Sequence, residues 1–250
     1  MPVVIHNLKS YDSHFIVKAL AYYKEFNKKL IEIKKDFDII PLSSEKYLSI
    51  KFDDLQFIDS FQFMQSSLGL LGENLTCDQK FFTKKYYNSL NISDHINFDD
   101  FCNKGYFPYS WFDSYDKFFV TEFPPIEAFY NNLNKKHIKE HDYNFAKKVY
   151  DICGCKTFKD YHDIYLNLDV TILSDVWYNF QQFSLKTYGL DPNNFVSAPS
   201  LSWIACLKYT GITLELLTET QKEIYRMFEM SIRGGICMAF NRHLKANNNL

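Results

Sequence analysis

The chain has 250 residues, a net charge of −2 at pH 7 and 18% aromatic residues, among them 18 Tyr and 24 Phe. That length suffices for one large domain or two small ones around a sizeable core. The near-neutral charge excludes a protein that coats nucleic acid with an evenly basic surface, so any such contact is local or metal-mediated. The abundant rings suit stacking on single strands as well as an aromatic core. The first residues lack the pattern of a secretory leader, and no apolar run reaches the roughly 18 residues of a membrane-spanning helix. Of the six cysteines only Cys153 and Cys155 lie close together. With His162 after them they fall short of a zinc-ligand spacing. Reduced thiols of an intracellular protein are the expectation, with nucleus and cytoplasm left open.

Residues 3–5, Val-Val-Ile, read as a buried strand, His6 and Asn7 as a turn, and the next apolar run as the start of a helix. Asn7, Tyr11 and Asp12 therefore fall just past a strand end, the edge where α/β sheets present catalytic groups. The same residue types also serve as turn and cap residues. Residues 15–30 predict a helix whose polar face carries Lys18, Lys24, Glu25, Lys28 and Lys29, turned to solvent or to nucleic acid. Residues 39–40, 47–52 and 55–59 predict strands of a β-meander, with a hairpin turn over 51–54.

Residues 64–71 begin another helix, with Ser66 or Ser67 as N-cap. Ser67 and Leu68 open the run Ser-Leu-Gly-Leu-Leu, which fits any capped amphipathic helix. Residues 77–134 are aromatic, charged and turn-rich. Within them Lys104 and Gly105 precede Tyr106-Phe107-Pro108-Tyr109, and Pro124 with Pro125 breaks the chain before the next helix. Lys104 is either a plain surface lysine before a glycine turn or a charge that stabilises an anionic phosphate.

Residues 135–183 are mainly helical, with Asp142 as the N-cap of one segment. Beyond Lys159, the residues Tyr161, Ile164, Tyr165, Leu168, Ile172, Val176 and Phe180 recur at three- and four-residue steps and define one apolar face. Tyr165 and Asp169 project side by side from it. An inward carboxylate is costly unless it is paired or metal-bound. Asp175 falls near the same stripe, so periodicity does not choose between the two aspartates. Gly189 to Pro192 ends the helix and predicts a domain boundary, with 1–190 and 191–250 as the two parts. Residues 197–202 lead into a helix carrying Leu201, Ile204, Ala205 and Leu207. Near the end, Arg233, Gly234 and Gly235 place glycines where the backbone can approach nucleic acid. Arg242 and Lys245 make that stretch locally basic. An ordinary β-turn has the same pattern.

Taken together, these stretches resemble the protein-primed family B DNA polymerases of viruses and self-synthesising transposons. Asn7, Tyr11 and Asp12 are similar to the family's second exonuclease motif, Asn-x-x-x-Tyr-Asp. Ser67 and Leu68 resemble its single-strand-binding motif. Lys104 and Gly105, with Tyr109 after them, resemble its Lys-Gly segment. Tyr165 and Asp169 match its third exonuclease motif, Tyr-x-x-x-Asp, and residues 199–203, Pro-Ser-Leu-Ser-Trp, resemble its approach to the palm. Arg233, Gly234 and Gly235 resemble its tyrosine-x-Gly-Gly motif, with Ile232 in the tyrosine position and so without the hydroxyl. The motifs follow the family's order over essentially the whole chain.

The resemblance implies an α/β (α+β) fold: an incomplete ribonuclease-H-like 3′–5′ exonuclease domain over 1–190, leading into the start of a polymerase palm over 191–250. It implies that Asp12 and Asp169 bind Mg²⁺ or Mn²⁺ in the complete parent enzyme, the two carboxylates alone holding such an ion poorly, that Tyr165 orients the attacking water and that Lys104 stabilises phosphate charge. It implies DNA contacts from Asn7, Tyr11, Ser67, Leu68, Arg233, Gly234 and Gly235. The implied partners are a single-stranded primer end, a template, deoxynucleotides and a terminal priming protein, with no membrane. Two-metal hydrolysis in this family uses carboxylates from a first motif, Asp-x-Glu, as well. That motif is absent from the sequence, as are the palm motifs Asp-x-x-Ser-Leu-Tyr-Pro and Asp-Thr-Asp. The expectation is a fragment of a DNA-directed DNA polymerase that alone neither extends nor efficiently trims DNA. Its strand over 3–5 has an open edge, and its solubility is poor. The alternative is a non-catalytic segment that binds single-stranded DNA.

Overall fold

A computed structural model describes residues 1–9, 11–28, 37–43, 46–232, 234 and 243. The chain divides into two compact units, Met1–Tyr209 and Thr210–Leu250. The mixture of helices and sheet is the one expected from the sequence.

The sheet begins with β1, Pro2–Ile5, and is completed by β2, Phe37–Ser43, β3, Lys46–Phe52, and β4, Leu55–Asp59. Its order is β1-β4-β3-β2. β1 pairs parallel with β4, in the register Val3↔Phe57 and Ile5↔Asp59, while β4–β3 and β3–β2 are antiparallel. The meander predicted from the alternating residues is present, with Asp53 at φ 53° turning the β3–β4 hairpin. β2 runs longer than predicted and shifts register at Pro41. Proline is tolerated there because β2 is an edge strand and a missing N–H leaves no gap in the ladder. Among the described residues the outer edge of β1 has no strand partner.

The β1–β4 crossover includes α1, Asp12–Lys28. α1 starts at Asp12, three residues before the predicted start at Phe15, because an acidic residue suits a first helical turn. Ser13 is fully buried and its N–H donates to the Leu8 carbonyl at 3.1 Å, closing the turn beneath the helix start.

After β4 the chain is helical: α2, Leu68–Glu73; α3, Phe81–Ser89; α4, Phe98–Phe101; α5, Glu140–Ile152; α6, Phe158–Tyr188; and α7, Ala198–Thr210. Ser67 is the N-cap of α2, its Oγ accepting from Leu70 N–H at 3.3 Å. α5 starts after Lys139, so Asp142 lies inside its first turn and not at the cap. α6 opens on a capping box: Asp160 accepts the N–H groups of Lys156 and Thr157 at 2.8 and 2.9 Å, and these donors hold its carboxyl below the usual carboxylate range. Gly189, in the left-handed region at φ 61°, ends α6 with its N–H on the Leu185 carbonyl.

The core is organised around α6. Its predicted stripe is buried at Tyr161, Tyr165, Leu168, Ile172 and Val176, against Phe101, Phe158, Ile92 and Tyr150. α2 packs close to α6 because it lacks a side chain at the contact. A Cβ on Gly72 would sit 2.8 Å from Ile172 Cγ2. α6 ends at Tyr188, and the division into compact units falls between Tyr209 and Thr210. α7 stays with the first unit, where Lys208 donates to the Gly189 carbonyl at 3.0 Å and Leu201 is buried. In the second unit, α8, Lys222–Ser231, exposes Tyr225, Met227, Phe228 and Met230.

Candidate functional site

The parallel register brings the carboxyl ends of β1 and β4 together, and polar side chains meet there. His6 Nδ1 lies 2.9 Å from Ser60 Oγ. Asp59, 6% exposed, accepts from Lys9 N–H at 3.1 Å and Phe61 N–H at 3.0 Å, which ties the β1–α1 turn to the end of β4. Burial keeps the His6 imidazole below its ordinary pKa, and the charge of Lys104 pushes the same way against the Asp59 carboxylate.

Asn7 adopts φ 61°, a left-handed conformation that asparagine tolerates better than most residues. Tyr11 is 68% exposed and packs edge-on against Phe15. Asp12 is exposed in the first turn of α1, and among the described residues no bond joins it to Asp169. The structure thus places Asn7, Tyr11 and Asp12 at one sheet edge, as the strand–turn–helix reading required.

α6 carries a second cluster. Gly105 lets the segment after α4 lie directly on Tyr165: a Cβ there would stand 3.1 Å from the Tyr165 ring. That close approach places Lys104 Nζ 3.7 Å from Asp169 Oδ2. The Tyr109 hydroxyl meets the Tyr165 hydroxyl at 2.5 Å. Burial raises the Tyr165 pKa, and the bond to Tyr109 and the charge of Asp169 add to it. This phenol is therefore a hydrogen-bonding group and not a base. Burial also raises the pKa of Asp169, against the opposing effects of Lys104 and Tyr165. Asp169 Oδ1 is buried with no hydrogen-bond partner. A buried carboxylate oxygen left without a donor is costly, and its chemistry suits a hard cation. The Asp169 oxygen therefore has the chemistry of one ligand to a divalent metal. Among the described residues no group of three or more His, Cys, Asp and Glu side chains converges.

Other predicted residues lie apart from this cluster. Ser67 is engaged as a helix cap, and Leu68 is buried in the core. Gly69, in the same helix, faces Lys104, with a Cβ position 3.6 Å from Lys104 Cβ. Among the described residues no atom lies within 4 Å of a Cβ position at Gly234. Arg233, Gly235, Arg242 and Lys245 lie outside the described residues. The Cys153 and Cys155 thiols are free, and burial raises both, Cys155 to about 12. His6, Asp59, Ser60 and Tyr109 belong to the two clusters but were not among the predicted site residues. The signals available were the position of His6 directly before Asn7 and the aromatic run after Gly105.

Asn7 and Asp12 follow the carboxyl end of β1, which runs parallel to β4, and Tyr165 and Asp169 lie on α6, in a protein of mixed α/β class. The family model for organellar and viral type B DNA polymerases matches residues 1–249, and the chain belongs to that family. The family's work is DNA replication, its partners are DNA and deoxynucleotides, and it uses divalent metal ions. No curated protein and no solved structure gives a significant match to the chain.

Proposed function

We propose that the chain carries part of a 3′–5′ editing site belonging to a DNA-directed DNA polymerase of this family, of the protein-primed viral or transposon type. The observation that carries the reading is the Asp169 carboxylate. One oxygen lies beside Lys104 and the other is buried without a donor. In this reading Asp169, together with Asp12 and further carboxylates of the complete site, would bind the divalent ion. When bound, that ion supplies charge stabilisation at a phosphoryl oxygen.

The chain's own groups do the rest. Lys104, still 39% exposed at its side chain, presents an ammonium to an incoming phosphate. Tyr165 keeps its proton and orients a water through its hydroxyl. Asn7 and Tyr11 line the path of a frayed primer end, where Tyr11 offers an exposed ring for stacking. In the proposed parent activity, template-directed synthesis with editing, a terminal protein supplies the priming hydroxyl.

Mn²⁺ titration followed by NMR tests this reading. Paramagnetic broadening is expected to centre on Asp169 and Tyr165 and to vanish in Asp169→Asn. Broadening centred elsewhere, or unchanged by that substitution, overturns it. The chain by itself is expected to show no Mg²⁺-dependent nucleotide incorporation, since the palm aspartate motifs are absent from the sequence. Measurable incorporation would refute that.

The second reading, binding of single-stranded DNA without chemistry, draws on the exposed rings of Tyr11, Phe15 and Tyr109. It predicts strongly salt-dependent binding that Asp169→Asn leaves intact and that is accompanied by no cleavage.

A further inference from the structure

Lys80 is buried, 4% exposed, at the start of α3. Among the described residues no carboxylate is within ion-pair range of it. Its ammonium donates to the Cys102 carbonyl at 3.4 Å, to Cys102 Sγ at 3.2 Å and to Asn103 Oδ1 at 3.5 Å. All of these acceptors belong to the two residues that precede Lys104. An ammonium in the interior without a counter-ion is an expensive way to stabilise a fold. What these bonds do is fix one short stretch of backbone.

The segment that carries Lys80 is itself fastened to α6. Asp175 accepts from Phe82 N–H at 2.7 Å, Thr83 N–H at 2.9 Å and the Thr83 hydroxyl at 2.6 Å. Asn179 donates to the Gln79 carbonyl at 2.8 Å. Lys104 then returns to the same helix at Asp169. The path from Asp175 through α3, Lys80, residues 102–103 and Lys104 to Asp169 is closed, and both of its ends lie on α6.

We propose that Lys80 is a positioning residue: by clamping Cys102 and Asn103 it sets the reach of Lys104 to Asp169. The proposal rests on the reading of Lys104 and Asp169 as one site, and adds to it a residue that touches neither substrate nor metal.

The test is a double-mutant cycle between Lys104→Met and Asp169→Asn on the full chain. It is read as shifts in the urea unfolding midpoint and repeated in a Lys80→Met background. The proposal expects a coupling between the two substitutions in the parent chain that disappears in the Lys80→Met background. A merely structural Lys80 lowers every midpoint alike and leaves the coupling in place, and that result overturns the proposal. If Lys80→Met does not fold, Asn103→Ala removes one of the acceptors from an exposed residue without changing charge. A reduced coupling in that background supports the proposal, and an unchanged one overturns it. Absence of coupling in the parent chain overturns the Lys104–Asp169 pairing and this proposal with it. The Mn²⁺ titration remains a separate measure of whether Asp169 binds metal.

Discussion

Asp169 and Asp175 are inward-facing carboxylates on one helix, and the molecule treats them in opposite ways. Asp175 is fully buried, and its oxygens accept from the Phe82 and Thr83 N–H groups and the Thr83 hydroxyl. It stabilises the start of α3 in the way a cap residue does, although it comes from a different helix. Asp169 has a lysine at 3.7 Å from one oxygen and no hydrogen-bond partner at the other. Burial raises its pKa, so its charge is held at a cost in stability. A carboxylate supplied with donors builds the fold. One left with a bare oxygen is what the proposed site requires.

The contrast is sharpest under substitution. Asp175→Ala leaves the start of α3 without its acceptor inside the core, and should destabilise the chain by about 3 kcal/mol in denaturant unfolding. A loss within a few tenths of a kcal/mol would mean that α3 finds another cap, and the comparison would fail.

Asp169→Asn should act the other way, raising stability at neutral pH by about 1 kcal/mol as a functional compromise is relieved. The sign follows from the raised pKa. The folded state binds the Asp169 proton more tightly than the unfolded chain, so this contribution is fully present below the ordinary aspartate pKa and is lost as pH rises through the folded value. The stabilisation by Asp169→Asn should therefore shrink as the solution is acidified through that window, and unfolding at several pH values would show it. A substitution that destabilises equally at every pH would place Asp169 with Asp175 as a structural group.

The smallest effect is expected at Ser67, an exposed cap. Ser67→Ala should cost about 0.5 to 1 kcal/mol of stability. If Ser67 also contacts DNA, single-strand affinity should fall in Ser67→Ala and Ser67→Gly alike, since both remove the hydroxyl. Equal affinities across the parent and both variants would leave Ser67 with capping alone.

The strands, the long helix and its glycine stop were legible because each rests on local rules: alternation, the three- and four-residue step, and the left-handed cap at Gly189. The edge position of Asn7, Tyr11 and Asp12 followed from the same rules. What the residue pattern could not show was the difference between Asp169 and Asp175. It is decided by Phe82, Thr83 and Lys104, which lie far away in sequence and come from other elements. Asp142 was misplaced as a cap for a related reason: α5 begins after Lys139, so a good cap residue falls inside a first turn, where its charge is equally welcome. Lys80 carried no signal at all, since a buried lysine is recognisable only by what surrounds it.

α2 turns glycines toward its neighbours, Gly72 toward Ile172 and Gly69 toward Lys104. In mechanical terms it is a joint without padding. Side chains between two helices can change rotamer and absorb a displacement, whereas backbone in direct contact passes it on. A Cβ at Gly72 would force Ile172 or the helix itself to move, whereas the space beside Lys104 would admit one at Gly69, so only the first position fixes how closely α2 lies on α6.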